Sequence, residues 1–124
     1  MNPQTEPFIT VLDELRAILK PYEKHLVVKS DPGGDYYLET RHLMKNKQLL
    51  FFGSVKAQKN YVSFYLMPVY VFPDLLDSAS PELKKRMQGK SCFNFKTADP
   101  VLFAELASLT EKGFARYQQE GLLE

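Results

Sequence analysis

Two segments of the chain, one near each end, repeat apolar residues at steps of three and four. This spacing places the apolar side chains along one face of an α-helix. The first helix is predicted to begin at Pro7 and to end or kink at Pro21. The second is predicted to begin at Asp99-Pro100, a capping residue followed by a proline, and to end near Gly121. The two apolar faces comprise Phe8, Val11, Leu12, Leu15, Ile18, Leu19 and Tyr22 in the first helix, and Leu102, Phe103, Leu106, Leu109, Phe114 and Tyr117 in the second.

Between these helices the pattern changes to the alternation of apolar and polar residues that is typical of β-strands. Val62, Phe64 and Leu66 would point to one face of a strand, and the residues between them to the other. Phe93 and Phe95 would likewise share one face of a later strand. The predicted strands are residues 25–29, 36–40, 48–56, 60–67 and 91–96, with a turn at 31–35, short helices at 73–77 and after Ser80, and Gly89 as the left-handed stop of the last short helix.

This order of elements predicts the fold class α+β. Strands that follow one another through short turns form an antiparallel sheet, and the two long amphipathic helices need a layer to cover. We therefore predict a two-layer α/β sandwich in which the N- and C-terminal helices cover one face of an antiparallel sheet. The 124 residues fit a single domain, residues 1–124.

The charge balance and the cysteine content narrow the classes of partner and compartment. Sixteen basic residues against fifteen acidic ones give a net charge of +1, so nucleic acid is not favoured as a partner. The longest nearly uncharged stretch, Asn60 to Pro73, is too short to span a membrane. Cys92 is the one cysteine of the sequence, and the N-terminus lacks the pattern of a signal peptide. These features predict a cytoplasmic protein.

The residue types that most often carry catalysis are sparse. His25 and His42 have no partner at metal-ligand spacing, and a single cysteine within a strand, Cys92, is more often a small buried side chain than a nucleophile. No nucleophile is paired with a base in the sequence, so we expect a protein that is not an enzyme.

The sequence nevertheless offers candidates for two kinds of ligand site. Acidic residues Glu6, Asp13, Glu14 and Glu23 could hold a hard cation, although basic residues among them favour an ordinary solvated face.

The other possible site is for an anion or a small molecule. The backbone and side chains of Gly89-Lys90-Ser91 could hold an anion, with Tyr37, Tyr61 and Tyr65 of the strands around the pocket. A platform of Tyr37, Phe52, Tyr61 and Tyr65 for single-stranded nucleic acid is disfavoured by the near-neutral charge.

The strands also carry short motifs: Leu50-Phe51-Phe52-Gly53, then Asn60-Tyr61-Val62-Ser63-Phe64-Tyr65 with Pro68, and Gly89-Lys90-Ser91-Cys92-Phe93-Asn94-Phe95. With the N-terminal helix, these motifs resemble the YdhG-like domain family of bacteria from Thr5 to Gln119. The resemblance implies an α/β sandwich similar to frataxin and, from one described member, an intracellular iron chaperone. Iron in frataxins meets an acidic ridge on the first helix, and Glu6, Asp13, Glu14 and Glu23 are the residues available to match it.

Residues and resemblance together predict a small cytoplasmic binding protein without enzymatic activity. The resemblance implies an iron chaperone, with iron as the cofactor and a protein as partner. The alternative is a module that binds a small molecule or an anion through Gly89-Lys90-Ser91 and the strand tyrosines.

Overall fold

The computed structural model describes residues 6–29 and 35–124, and the side chains from Ile9 onward within these ranges. The predicted turn at 31–35 therefore lies outside the described residues except for Asp35. Within the described part, the elements are helix α1 (Glu6–Leu19), a 3-10 helix (Lys20–His25), strands β1 (Val27–Val28), β2 (Asp35–Leu43), β3 (Leu49–Ala57) and β4 (Val62–Leu66), helix α2 (Pro68–Val71), a second 3-10 helix (Pro73–Ser78), helix α3 (Pro81–Lys84), strands β5 (Met87–Gln88) and β6 (Cys92–Phe95), and helix α4 (Pro100–Gln119).

The strands form one sheet in the order β1-β2-β3-β4-β6-β5, and every neighbouring pair is antiparallel. The first strands follow one another as a meander. The chain then crosses over through the short helices to the far edge, forms β5, and returns as β6 beside β4. The predicted antiparallel sheet is confirmed.

Helices α1 and α4 form the second layer, as the sequence predicts. Helix α1 lies so close to β3 that a Cβ atom on Gly53 would stand 3.1 Å from Leu19 Cδ2, a contact tighter than most carbon atoms make. Helix α4 contacts the same layer through Phe103, whose ring meets Phe95 edge-on with 4.9 Å between ring centroids. The architecture is a two-layer α/β sandwich with the core between the layers.

The predicted starts of α3 and α4 hold, because the N-capping residues lie where the sequence places them. The side chain of Ser80 accepts a hydrogen bond from Leu83 N at 3.1 Å, and Asp99 Oδ1 accepts one from Leu102 N at 3.0 Å. Gly121, just beyond α4, has the left-handed φ of 72° that suits a glycine after a helix.

A β-bulge in β3 changes which side chains reach each face of the sheet. Leu38 pairs with Gly53, but its neighbour Glu39 pairs with Phe51, so Phe52 is an extra residue in β3. Phe52 is fully buried among the helices, whereas Phe51 is half-buried on the opposite side. Strict alternation of side chains between the two faces of the sheet therefore fails at Phe52.

Three sequence predictions about the elements need correction. The first strand does not begin at His25, because the chain forms a 3-10 helix through His25 and only Val27–Val28 pair with β2. Strand β5 at the sheet edge was not predicted. Gly89 has a left-handed φ of 81°, but it lies in the turn between β5 and β6 and not at the end of α3.

Candidate functional site

The sheet has one face against the helices and one face turned away from them, which we call the open face. Cross-strand pairing places side chains on the open face in rows, because residues opposite each other on neighbouring strands point the same way. One row runs from Tyr37 through Ser54 and Tyr65 to Cys92, and the next runs from Asp35 through Lys56 and Ser63 to Asn94. The open face is therefore rich in aromatic and hydrogen-bonding groups.

A shallow cleft of about 340 Å³ lies over β2, β3 and β4 on this face. We call it the tyrosine cleft; its lining includes Asp35, Tyr37, Phe51, Ser54, Lys56 and Tyr65. The rings of Tyr37 and Phe51 are stacked, with 4.6 Å between their centroids and 27° between their planes. A stacked aromatic pair presents a flat apolar surface and is a common floor for planar ligands.

The tyrosines of the cleft are held in the neutral form. Burial raises the pKa of Tyr37 above its usual range, and the negative charge of Glu39 raises it further. Burial also raises the pKa of Tyr65, with a smaller contribution from the Cys92 thiol beside it. At neutral pH both phenols therefore remain hydrogen-bond donors as well as acceptors.

Next to the tyrosine cleft, a chain of hydrogen bonds orders the polar side chains of β4, β6 and β5. Ser63 Oγ donates to Asn94 Oδ1 at 2.7 Å, and Cys92 Sγ donates to the same oxygen at 3.3 Å. Asn94 Nδ2 donates to Gln88 Oε1 at 2.9 Å. The network fixes the orientation of the Asn94 amide and gives Cys92 a structural hydrogen bond.

The structure brings together only part of the predicted ligand site. Tyr37 and Tyr65 line the tyrosine cleft, but Tyr61, Lys90 and Ser91 are not among the described residues that line it. Tyr61 lines a separate hollow, and Lys90 and Ser91 belong to the turn between β5 and β6. The carbonyl oxygen of Ser91 accepts a hydrogen bond from Leu66 N at 2.9 Å. The turn and the tyrosines therefore do not form one pocket.

The bulge at Phe52 also changes the aromatic platform that the sequence suggests. Phe52 is not on the open face, because the extra residue in β3 turns its ring into the core. Phe51 takes its place beside Tyr37. Phe51 and Ser54 were not predicted as lining residues. Ser54 shares a face with Lys56 by alternation, whereas the signal for Phe51 is the Phe51-Phe52-Gly53 run, which interrupts the alternation.

The residues predicted for a metal are spread along the N-terminal segment. Asp13 and Glu14 are exposed on α1, whereas Glu23 accepts a hydrogen bond from Tyr36 Oη and lies 3.8 Å from Lys20 Nζ. The side chain of Glu6 lies outside the described part of the structure. Among the described residues, no three side chains of His, Cys, Asp or Glu come together in a way that could hold a metal ion. Iron binding stays a prediction from the resemblance.

The histidines and the cysteine are also apart. The ring of His25 contacts that of Phe114 at 5.5 Å between centroids, and His42 Nδ1 lies 3.0 Å from the carbonyl oxygen of Glu124. His42 is on β2 and Cys92 on β6, three strand spacings away, which separates them by at least about 14 Å. These side chains make no catalytic arrangement with one another.

Comparisons of this chain with known proteins identify no related family. The chain has no significant match to a protein family, to a curated protein or to a solved structure. None of the helices in the described part of the chain is both long enough and apolar enough to cross a bilayer.

Proposed function

We propose that this protein is a non-catalytic binding domain whose ligand is a small organic molecule with a planar ring, bound in the tyrosine cleft. The observation that carries the proposal is the stacked pair of Tyr37 and Phe51 on the open face, with Tyr65 beside it. Aromatic side chains on a sheet face that none of the described helices covers are not needed for the core. They are, however, well placed to stack against a flat ligand.

The size and polarity of the cleft indicate the kind of molecule. A volume of about 340 Å³ is near the lower end of ligand pockets, which suits a one- or two-ring compound. Lys56 faces Asp35 across the two strands, so the two charges oppose each other within the lining. A neutral or singly charged planar ligand fits this balance better than a polyanion.

The cleft is also held in a fixed shape, which favours a binding role. The carbonyl oxygen of Phe51 accepts a hydrogen bond from the buried Tyr117 hydroxyl at 3.0 Å, so the strand segment under the stacked pair is tied to α4. A site that is already ordered loses less entropy when a ligand binds. We place this role in the cytoplasm, because a sequence with one cysteine has no need of an oxidising compartment.

Saturation-transfer NMR with pairs of matched probes tests the proposal. Benzoate and cyclohexanecarboxylate have the same charge and nearly the same size, but only benzoate is flat and aromatic. We expect benzoate and indole to receive saturation from the protein and cyclohexanecarboxylate to receive several-fold less. Equal signals from the flat and the saturated probe would exclude stacking as the basis of binding.

A further inference from the structure

A second hollow on the open face lies at the opposite side of β4 from the tyrosine cleft. We call it the basic hollow; it has a volume of about 400 Å³, and its lining includes Tyr61, Lys85, Arg86, Gln88, Asn94 and Lys96. Tyr61 comes from the segment before β4, and the other residues come from β5, β6 and their flanks. The described lining therefore contains three cationic side chains and no carboxylate.

The absence of acidic residues from this lining is notable because the chain as a whole is balanced, with sixteen basic and fifteen acidic residues. Within the described residues, Lys85, Arg86 and Lys96 form no ion pair. Three like charges around one hollow repel one another. A bound anion would attract all three and offset that repulsion. The basic hollow thus has the electrostatics of an anion site.

The backbone fixes the positions from which the three exposed cationic side chains project. Asn94 N donates to the carbonyl oxygen of Arg86 at 2.8 Å, which fixes Arg86 at the edge of the sheet. Lys85 follows α3, whose Leu83 is fully buried and anchors that helix to the core. Lys96 follows Phe95, which is also buried. Each cation therefore projects from a residue beside a fixed point of the core.

Acidic residues do lie on the far side of Lys85 and Arg86, where Glu82, Asp99 and Glu105 line a neighbouring hollow. Two of these carboxylates already have hydrogen-bond donors, because Asp99 caps α4 and Glu105 accepts from both the backbone and the hydroxyl of Ser80. None of the three carboxylates forms an ion pair with Lys85 or Arg86 within the described residues, so both cations are available to an external anion.

From this arrangement we infer that the basic hollow binds the phosphate group of a small soluble phosphate monoester. An arginine offers two parallel donors that match the oxygens of a phosphate, and lysines add point charges. Tyr61 and Asn94 supply polar groups next to the cations. This site is separate from the tyrosine cleft, so it stands or falls independently of the proposed function.

Titration of the ¹⁵N-labelled protein with inorganic phosphate and with glycerol phosphate tests the inference, with sodium chloride of equal ionic strength as the reference. We expect amide shifts centred on Arg86, Asn94 and Lys96 with both phosphates, and we expect binding of glycerol phosphate to weaken as the pH falls through about 6, where a phosphate monoester loses its second charge. Shifts of the same pattern and size with chloride would overturn the inference.

A pair of charge-matched variants separates a site from general attraction. Lys96→Gln removes a cation from the lining, whereas Lys84→Gln removes an exposed cation of α3 that does not line the hollow. We expect Lys96→Gln to weaken phosphate binding about three- to ten-fold and Lys84→Gln to weaken it less than about two-fold. Equal weakening by the two variants, or stronger binding to vesicles that carry phosphatidic acid than to glycerol phosphate, would contradict a site for a soluble monoester.

Discussion

The hydroxyl of Tyr117 donates a hydrogen bond to the carbonyl oxygen of Phe51 at 3.0 Å, and this contact joins the last turns of α4 to the bulged strand β3. The side chain of Phe51 points the other way and stacks on Tyr37. One residue therefore connects the buried core to the surface that we propose for ligand binding. Because a bulge disturbs the regular ladder, a side-chain donor at this position helps to define the local geometry.

Replacing Tyr117 with phenylalanine removes this hydrogen bond and keeps most of the packing. We expect Tyr117→Phe to lower the free energy of unfolding by about 0.5–1.5 kcal/mol, the usual contribution of one hydrogen bond, with more if the Phe51 carbonyl is left without a partner. Urea unfolding followed by circular dichroism measures the change. Tyr70→Phe is the matched control, because Tyr70 is 55% exposed and should change stability little. Equal stability of the Tyr117→Phe variant and the parent would refute the structural role.

The same tyrosine predicts how stability depends on alkaline pH. Burial raises the pKa of Tyr117 well above the value of about 10 for a free tyrosine. Above pH 10 the unfolded chain loses this proton while the folded protein keeps it, so the free energy of unfolding falls as the pH rises, by up to about 1.4 kcal/mol per pH unit for one such group. Below pH 10 the contribution of Tyr117 is fully present and does not vary.

Urea unfolding between pH 8 and 11 tests this expectation. The Tyr117→Phe variant should show a smaller loss of stability above pH 10 than the parent protein. The raised pKa values of Tyr22, Tyr37 and Tyr65 contribute in the same direction and remain in both proteins, so the difference between the two curves isolates Tyr117. Parallel curves, with the same loss of stability above pH 10 in both proteins, would show that the Tyr117 hydroxyl ionises normally in the folded state.

Helices α4 and α2 approach each other closely at Gly113, and this contact predicts how a substitution there affects stability. A Cβ atom on Gly113 would lie 2.8 Å from Pro68 Cβ and 3.0 Å from Pro68 Cγ, and the proline ring cannot rotate away. Alanine is a better helix former than glycine by about 1 kcal/mol, but overpacking costs about 1–3 kcal/mol. We expect Gly113→Ala to lower the melting temperature.

The exposed Ala104 of the same helix provides the control, since Ala104→Gly reports the effect of helix propensity without a tertiary contact. Ala104→Gly should destabilise the protein by about 1 kcal/mol. If Gly113→Ala instead raised stability by a similar amount, the spacing between α4 and α2 described here would be wrong.

The architecture was predictable because its signals are periodic and long. The apolar faces of α1 and α4 place Val11, Leu15 and Leu106 in the core, where all three are fully buried. The alternation in β4 likewise predicts that Val62, Phe64 and Leu66 are buried. A short edge strand such as β5 cannot be predicted in this way, because two residues are too few to show an alternation of apolar and polar positions.

The candidate sites were only partly predictable, for physical reasons that differ between them. Tyr37 and Tyr65 follow from alternation, but one extra residue in β3 exchanges Phe52 for Phe51 on the open face. Lys85 and Arg86 of the basic hollow are adjacent in sequence, but Lys96 lies ten residues further on and meets them only through the pairing of β6 with β5. Distances across a sheet depend on register, which local patterns do not fix.

Chemical-shift mapping of ¹⁵N-labelled protein titrated with indole tests the binding proposal most directly, on the parent and on Tyr37→Ser and Tyr70→Ser. The tyrosine cleft predicts shifts at Tyr37, Ser54 and Tyr65, together with a loss of about two- to twelve-fold in affinity for Tyr37→Ser, the equivalent of 0.5–1.5 kcal/mol for one aromatic contact. Tyr70→Ser, which changes an exposed tyrosine of α2, should bind indole as the parent does. Shifts that map instead to the groove between α1 and α4 at Ala17 and Ala107, or an affinity that Tyr37→Ser leaves unchanged, would contradict the proposed function.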